Sequence, residues 1–195
     1  EMGGLVVTAS DSSGSVHDPE GFTADKLAVL RRIKEEERGR ISAYADEVGV
    51  EFRPGRSPWD VAVDVALPCA TENELDADDA AGLVANGVRY VAEGANMPTT
   101  LGAVDAFRAA GVAHAPGKAS NAGGVAVSGM EMSQAAQHAS WSAADVDARL
   151  RGIMEAIHDA CVAHAPDRDR VDYFDGANIA GFVKVADAMI AQGVV

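Results

Sequence analysis

The sequence predicts a doubly wound α/β fold: a mainly parallel sheet between two layers of helix, with further helices trailing behind it. Short apolar runs of strand length recur along the chain, helical segments separate them, and clusters of turn formers close them. Parallel strands joined through helices take right-handed crossovers, so three layers with the sheet in the middle form the economical arrangement. At 195 residues and 48% hydrophobic content, the chain is long enough to bury one substantial core.

Residues 5–9, Leu-Val-Val-Thr-Ala, form a β-branched apolar run that reads as a buried strand leading into the turn formers Ser10 to Gly14. From Thr23, a capping residue, Leu27, Leu30 and Ile33 recur at helical spacing until Gly39, and a second short helix runs to Val48. Residues 53–58 read as loop, and residues 61–67 as a second buried strand closed by Pro68. The alternation continues with a helix over 76–86 closed by Gly87, a strand at 90–92, a helix over 99–110 closed by Gly111, and a strand at 112–115. Beyond Pro116 the pattern is helical, over 124–140, 143–163 and 179–191, with Ser142, Pro166 and Gly176 in the joining segments.

Sixteen Lys and Arg against thirty Asp and Glu give a net charge of −14, which repels phosphate backbones and anionic bilayers and argues against nucleic acid or membrane as partners. A solvated surface accounts for the acidity, since Asp76, Asp78 and Asp79 sit where a helix begins. The two cysteines, Cys69 and Cys161, lack metal-ligand spacing; neither a disulfide scaffold nor structural zinc is expected, and a reducing cytoplasm is the default setting. No apolar run approaches the roughly 20 residues that span a bilayer, and no basic-then-apolar leader opens the chain. The five histidines fall without ligand spacing and there is no nucleophile elbow, so neither a metal site nor hydrolase chemistry is expected.

In open parallel sheets, ligands bind outside the carboxyl ends of the strands, where loops and helix N-termini bring free backbone donors together. Four segments qualify: Ser10-Asp11-Ser12-Ser13-Gly14; residues 68–73, which include Ala70 and Thr71; residues 93–98, which include Gly94 and Asn96; and residues 116–124, which include Asn121. All four are expected on one edge of the sheet. Their small residues and uncharged polar groups suit a ligand with sugar and amide-ring parts, oriented by amides and hydroxyls rather than by one dominant charge. The plainer alternative is that Gly94, Gly123 and Gly124 make turns and helix starts while Asn96 caps a helix.

Two stretches, Ala66-Leu67-Pro68-Cys69-Ala70-Thr71-Glu72-Asn73-Glu74-Leu75 and Ala92-Glu93-Gly94-Ala95-Asn96-Met97-Pro98-Thr99-Thr100, are distinctive. So are Pro116-Gly117-Lys118-Ala119-Ser120-Asn121-Ala122-Gly123-Gly124-Val125-Ala126-Val127-Ser128-Gly129-Met130-Glu131-Met132 and Gly176-Ala177-Asn178-Ile179-Ala180-Gly181-Phe182. Through these motifs the chain resembles the hexameric glutamate dehydrogenases, and the resemblance runs over essentially all its length. It implies a Rossmann-like, NADP-binding domain over residues 1–140, with residues 141–195 adding helices that pack on it and toward an interdomain cleft. It implies reversible oxidative deamination of L-glutamate to 2-oxoglutarate and ammonia, with hydride passing between substrate and nicotinamide, in a cytoplasmic homohexamer. Carried over by motif, Ser128 donates to the substrate's side-chain carboxylate and Val125 packs on its aliphatic part. The two lie three apart on one helix, which places them on one face. Asn121, Asn96, Gly94, Ala70 and Thr71 resemble residues lining the nicotinamide and ribose.

The Ser10, Asp11, Ser12, Ser13 segment falls where the family binds the adenine ribose. An acidic residue there ordinarily reads a free 2′-hydroxyl, favouring NAD. Here serines surround it, as in the NADP-preferring bacterial enzymes, so NADP is expected in preference to NAD, provided that Asp11 points away or meets a cation. No Gly-x-Gly-x-x-Gly/Ala motif precedes Leu5. The family's catalytic lysine and aspartate belong to an N-terminal domain with no counterpart in these residues. No catalytic residue is therefore expected here; the chain reads as a C-terminal part, truncated at its N-terminus and inactive alone. Two other readings stay open: a leucine or phenylalanine dehydrogenase, which has no use for the Ser128 hydroxyl, and a non-catalytic nucleotide-binding module, which needs a phosphate loop.

Overall fold

The computed structural model describes residues 3–167 and 170–193. They fall into two compact units, Glu1–Ala62 and Val63–Val195.

The first unit holds strands β1 (Thr8–Asp11), β2 (Gly14–His17) and β3 (Glu51–Pro54), with helices α1 (Ala24–Arg31) and α2 (Ile41–Val48) between the second and third. The strands form an antiparallel sheet in the order β1-β2-β3, with Asp11 opposite Gly14 and Val16 opposite Phe52. Thr23 caps α1 through the Lys26 amide, as its position predicts, and α1 runs on into a π-helical turn over Arg32–Glu36. Val16, Ile33, Ile41, Tyr44 and Ala45 make the core, with Phe22 stacked on Tyr44 at 5.3 Å.

Two expectations fail in this unit. The first strand is not a buried parallel strand over residues 5–9: it begins at Thr8, and Leu5 and Val6 are 67% and 53% exposed. It also turns straight back, because Gly14 adopts φ +146 and a Cβ there would sit 2.3 Å from the Arg53 carbonyl oxygen. Residues 53–58, read as loop, begin inside β3. Four-residue strands containing Gly or Pro carry little signal of their own, and pairing with neighbours is what makes them strands.

The second unit runs β4 (Val65–Ala66), α3 (Ala77–Ala85), β5 (Tyr90–Ala92), α4 (Leu101–Ala110), β6 (Ala113–Ala115), α5 (Gly117–Ser120), α6 (Ala122–Gln137), α7 (Ala143–His164) and α8 (Tyr173–Gln192). Its sheet is parallel, in the order β4-β5-β6, the expected α/β alternation. Helices α3 and α4 pack together, α7 packs on α6 and α8, and α8 packs on β6. Leu75, Leu83, Val91, Val104 and Phe107 are buried between these elements. Asp76 and Asp79 form a capping box at α3, which accounts for part of the acidic cluster.

Here too the structure corrects the sequence reading. β4 is an edge strand of two residues rather than a buried strand over 61–67, and Val65 and Leu67 are exposed. Helix α8 starts at Tyr173, capped by Asp172, six residues before the expected start, so Gly176 lies inside a helix instead of in a joining segment. A Cβ on Gly176 would stand 2.2 Å from the Cys161 carbonyl oxygen, so the glycine serves the close approach of α8 to α7. Among the described residues, no helix is long and apolar enough to cross a membrane.

Candidate functional site

The loops that follow β4 and β5 line an open cavity of about 490 Å³, walled by Ala70, Thr71, Glu72, Gly94, Ala95, Asn96 and Met97. Pro68 ties the two loops together: its carbonyl accepts from the Gly94 amide at 2.9 Å and the Ala95 amide at 3.2 Å. Gly94 packs close to the other loop: a Cβ there would meet the Cys69 Sγ at 2.5 Å and displace that thiol. Four residues expected at the site, Ala70, Thr71, Gly94 and Asn96, are thus brought to one cavity.

Asn121, at the start of α6, joins them from the loop after β6. Its Nδ2 donates to the Ala95 carbonyl at 3.0 Å and to the Asn96 Oδ1 at 2.9 Å. Asn96 therefore does not cap α4; Thr100 does, through the Ala103 amide.

Behind this wall lies a buried set of groups that the sequence reading passed over. Glu93, 5% exposed, directly follows β5 and accepts from His114 Nε2 at 2.8 Å and from the Gly117 amide at 2.5 Å. The Ser120 hydroxyl donates to the Glu93 carbonyl at 2.6 Å. Burial alone would raise the Glu93 carboxyl, but its hydrogen bonds, that with His114 foremost, outweigh burial and hold it below the ordinary carboxylate range. The one signal available in the sequence was a carboxylate placed directly at a strand end.

Val125 and Ser128 lie three residues apart on α6 and both are exposed, Val125 by 75%. The Ser128 hydroxyl donates to the Gly124 carbonyl at 3.2 Å within its own helix. Among the described residues, no hydrogen bond joins Ser128 to the loops of the cavity.

In the first unit, Ser10, Asp11, Ser12 and Ser13 form the β1-β2 hairpin rather than a loop after a parallel strand, which corrects the expectation of four loops along one sheet edge. Asp11 turns inward. It accepts from the Ser13 amide at 2.8 Å, the Ser13 hydroxyl at 2.6 Å, the Lys34 ammonium at 2.7 Å and the Ile41 amide at 2.9 Å. Burial opposes ionisation, yet the bond with Lys34 and those from Ser13 and Ile41 hold the Asp11 carboxyl far below its ordinary value. Ser12 receives a hydrogen bond from Arg40. The hairpin thus carries a neutralised acid and two cations, Lys34 and Arg40, that sequence reading missed because they lie 20 and more residues downstream.

A second cavity, about 430 Å³, lies between α4, β6 and the start of α8. Its Arg108 is already paired with Asp172 at 2.7 Å and Asp175 at 2.9 Å, so it presents no uncommitted charge from that residue. Among the described residues, no cluster of three or more His, Cys, Asp or Glu is placed to hold a metal ion.

A parallel α/β unit with helices packed beside its sheet and a cleft at its strand ends belongs to the Rossmann-like class of fold, and comparison with known proteins narrows the class. The chain belongs to the glutamate/leucine/phenylalanine/valine dehydrogenase family, whose model matches residues 1–193. It is 59% identical over 195 residues to an NADP-specific glutamate dehydrogenase of Escherichia coli, covering 100% of this chain and 44% of that protein's length. The crystal structure of Plasmodium falciparum glutamate dehydrogenase superposes with a TM-score of 0.92 at 44% identity, over 98% of this chain and 42% of that one. A hetero-hexameric, leucine-bound glutamate dehydrogenase from Thermus thermophilus superposes at 0.77 with 25% identity, over 98% of this chain and 42% of that one. The chain therefore spans less than half the length of the relatives it matches.

Proposed function

We propose that these residues supply the cofactor-binding part of an NADP-dependent glutamate dehydrogenase, acting reversibly on L-glutamate to give 2-oxoglutarate and ammonia. The observation that carries this reading is the Asn121 bracket across the Ala95–Asn96 wall of the cleft, in a chain 59% identical to an NADP-specific enzyme. The cleft fits the nicotinamide end of a dinucleotide: it is open, most of its walls are small residues, and the Asn96 amide beside it can orient a carboxamide ring, with Glu72 the one charged side chain in the lining. The hairpin of the first unit, taken by itself, suits a 2′-phosphate. Lys34 neutralises Asp11 and Arg40 stands at Ser12, so a 2′-phosphate meets the Arg40 guanidinium where a bare acid would repel it. That favours NADP over NAD.

When bound, the dinucleotide supplies the hydride acceptor, and this chain's own contribution is placement. Asn96 and Asn121 hold each other in fixed orientation beside the cleft, and Gly94 lets a ring approach the backbone. Ser128 and Val125 serve the far end of the substrate, the hydroxyl exchanging its helix carbonyl for a carboxylate and the valine covering the methylenes. The lysine and aspartate that handle protons belong to the remainder of a longer protein, cytoplasmic and homohexameric, in which this chain meets its substrate.

The test is glutamate-dependent reduction of NADP by the whole protein, with leucine and phenylalanine as competing substrates. Turnover confined to glutamate supports the reading. Faster oxidation of leucine or phenylalanine replaces it with the apolar amino-acid enzyme, and dinucleotide binding without turnover on any of the three leaves a binding module. The 195 residues alone are expected to show no turnover and weak or absent NADPH binding by calorimetry; robust turnover would mean that they hold their own proton-transfer groups.

A further inference from the structure

The loop that walls the cleft begins at Glu93, a carboxylate buried against a histidine, which is costly to place and is weak evidence of a stabilising role by itself. β5 and β6 do not need it: their ladder already pairs Tyr90 with Ala113 and Ala92 with Ala115, and the Glu93 amide donates to the Ala115 carbonyl at 3.1 Å. The contacts of Glu93 and its neighbours point elsewhere. His114 and the Gly117 amide clasp the carboxylate, Ser120 holds the Glu93 carbonyl, and Asn121 holds Ala95 and Asn96. Every one of these bonds fastens β6 or the segment after it to the segment after β5, and the outer end of the series is the pair of amides at the cleft. Gly117 is packed so closely that a Cβ would meet the Ala95 carbonyl oxygen at 2.6 Å, so the two segments have no slack.

We infer that Glu93 is a positioning residue: clasped by His114 and Gly117, it sets the orientation of Asn96 and Asn121 and thereby the plane in which the cofactor's amide-bearing ring is held. The inference rests on the dinucleotide reading above. A charged acceptor suits the task because charge-assisted hydrogen bonds are short and about twice as strong as neutral ones, and a misplacement on the order of 1 Å at a reacting ring costs roughly a hundredfold in rate. His114 donates through Nε2 while its ring lies between Phe107 and Phe174, at 5.9 and 6.1 Å between centroids, which fixes the donor's direction.

The experiment uses the whole protein with Glu93→Gln, Glu93→Ala and His114→Phe, and reads kcat, the glutamate and NADP Michaelis constants, melting temperature, and the emission of bound NADPH. Glu93→Ala and His114→Phe are expected to lower kcat by about tenfold or more with the glutamate constant changed less than about twofold, and to return the NADPH emission toward that of free cofactor. Glu93→Gln keeps the size and one acceptor, and is expected to recover part of the loss. If Glu93→Ala does not fold, His114→Phe, which removes the donor but fills the ring's space, decides alone. Unaltered kcat and unaltered NADPH emission in Glu93→Gln and His114→Phe, whatever their melting temperatures, would overturn the inference and leave the functional reading standing. NADPH binding without glutamate turnover in the unsubstituted protein would sink the substrate assignment, while the emission still judges Glu93. No NADPH binding by the unsubstituted protein overturns the cofactor reading and this inference together.

Discussion

Lys34 meets Asp11 at 2.7 Å, and the same carboxylate accepts from the Ile41 amide at 2.9 Å, so a residue from the end of the first helical segment and the start of α2 are both anchored to the β1-β2 hairpin. An acid that would by itself select against a phosphate is thereby spent inside the fold, and the hairpin's outer face is left to serines and to Arg40.

Cofactor choice should follow from that arrangement. Arg40→Ala is expected to weaken NADPH binding by about tenfold, equivalent to about 1.4 kcal/mol, and to leave NADH binding within about twofold. Fluorescence titration with both cofactors checks it; equal losses would remove Arg40 from 2′-phosphate recognition.

Ser128→Ala should raise the glutamate Michaelis constant of the whole protein about tenfold or more while sparing NADP affinity, because a hydrogen bond to a charged group contributes roughly 1.5–3 kcal/mol. Steady-state kinetics with each substrate varied in turn makes the measurement. An unchanged glutamate constant would return Ser128 to the role the structure shows directly, a hydroxyl bonded to the Gly124 carbonyl.

The pH dependence of stability carries a definite sign. Glu93 is held below its ordinary value, so its stabilising contribution is complete above about pH 4.3, the unfolded value, and is lost as pH falls through the lower folded value. The melting-temperature gap between the unsubstituted protein and Glu93→Gln should therefore be widest near neutrality and should shrink on acidification below that point. A gap that stays constant from pH 7 to pH 3 would mean that the buried carboxyl is not ionised.

Gly176→Ala should destabilise by about 1–3 kcal/mol, the range for overpacking a tight contact. The obstacle is the Cys161 backbone, 2.2 Å from the added carbon, and not a side chain that can swing away. Thermal unfolding should show the loss, and an undiminished melting temperature would mean that α7 and α8 can part at little cost.

The sequence by itself determined the α/β alternation from α3 to β6, though not the extent of β4 or the start of α8, because its signals there are local. The Asp76 and Asp79 capping box, Thr100 before α4, and Gly111 at φ +78 after it are side-chain and backbone preferences that act within one turn. The gathering of Ala70, Thr71, Gly94, Asn96 and Asn121 at one cavity was legible for the same reason: the loops at the carboxyl ends of parallel strands meet along one edge. What only the tertiary structure decided depends on residues distant in the chain. The antiparallel sheet needed β3 to reach back to β2 across 34 positions at the His17–Glu51 pair (51 − 17) and 40 at the Gly14–Pro54 pair (54 − 14), and no pattern in four residues announces that partner. Asp11 could be read as facing a ribose until Lys34 was placed on it, and Glu93 as one more surface acid until His114 and Gly117 closed around it. A charge states its chemistry in the sequence; whether it faces a ligand or the protein's interior is set by which counter-charges and amides the fold brings within about 3 Å.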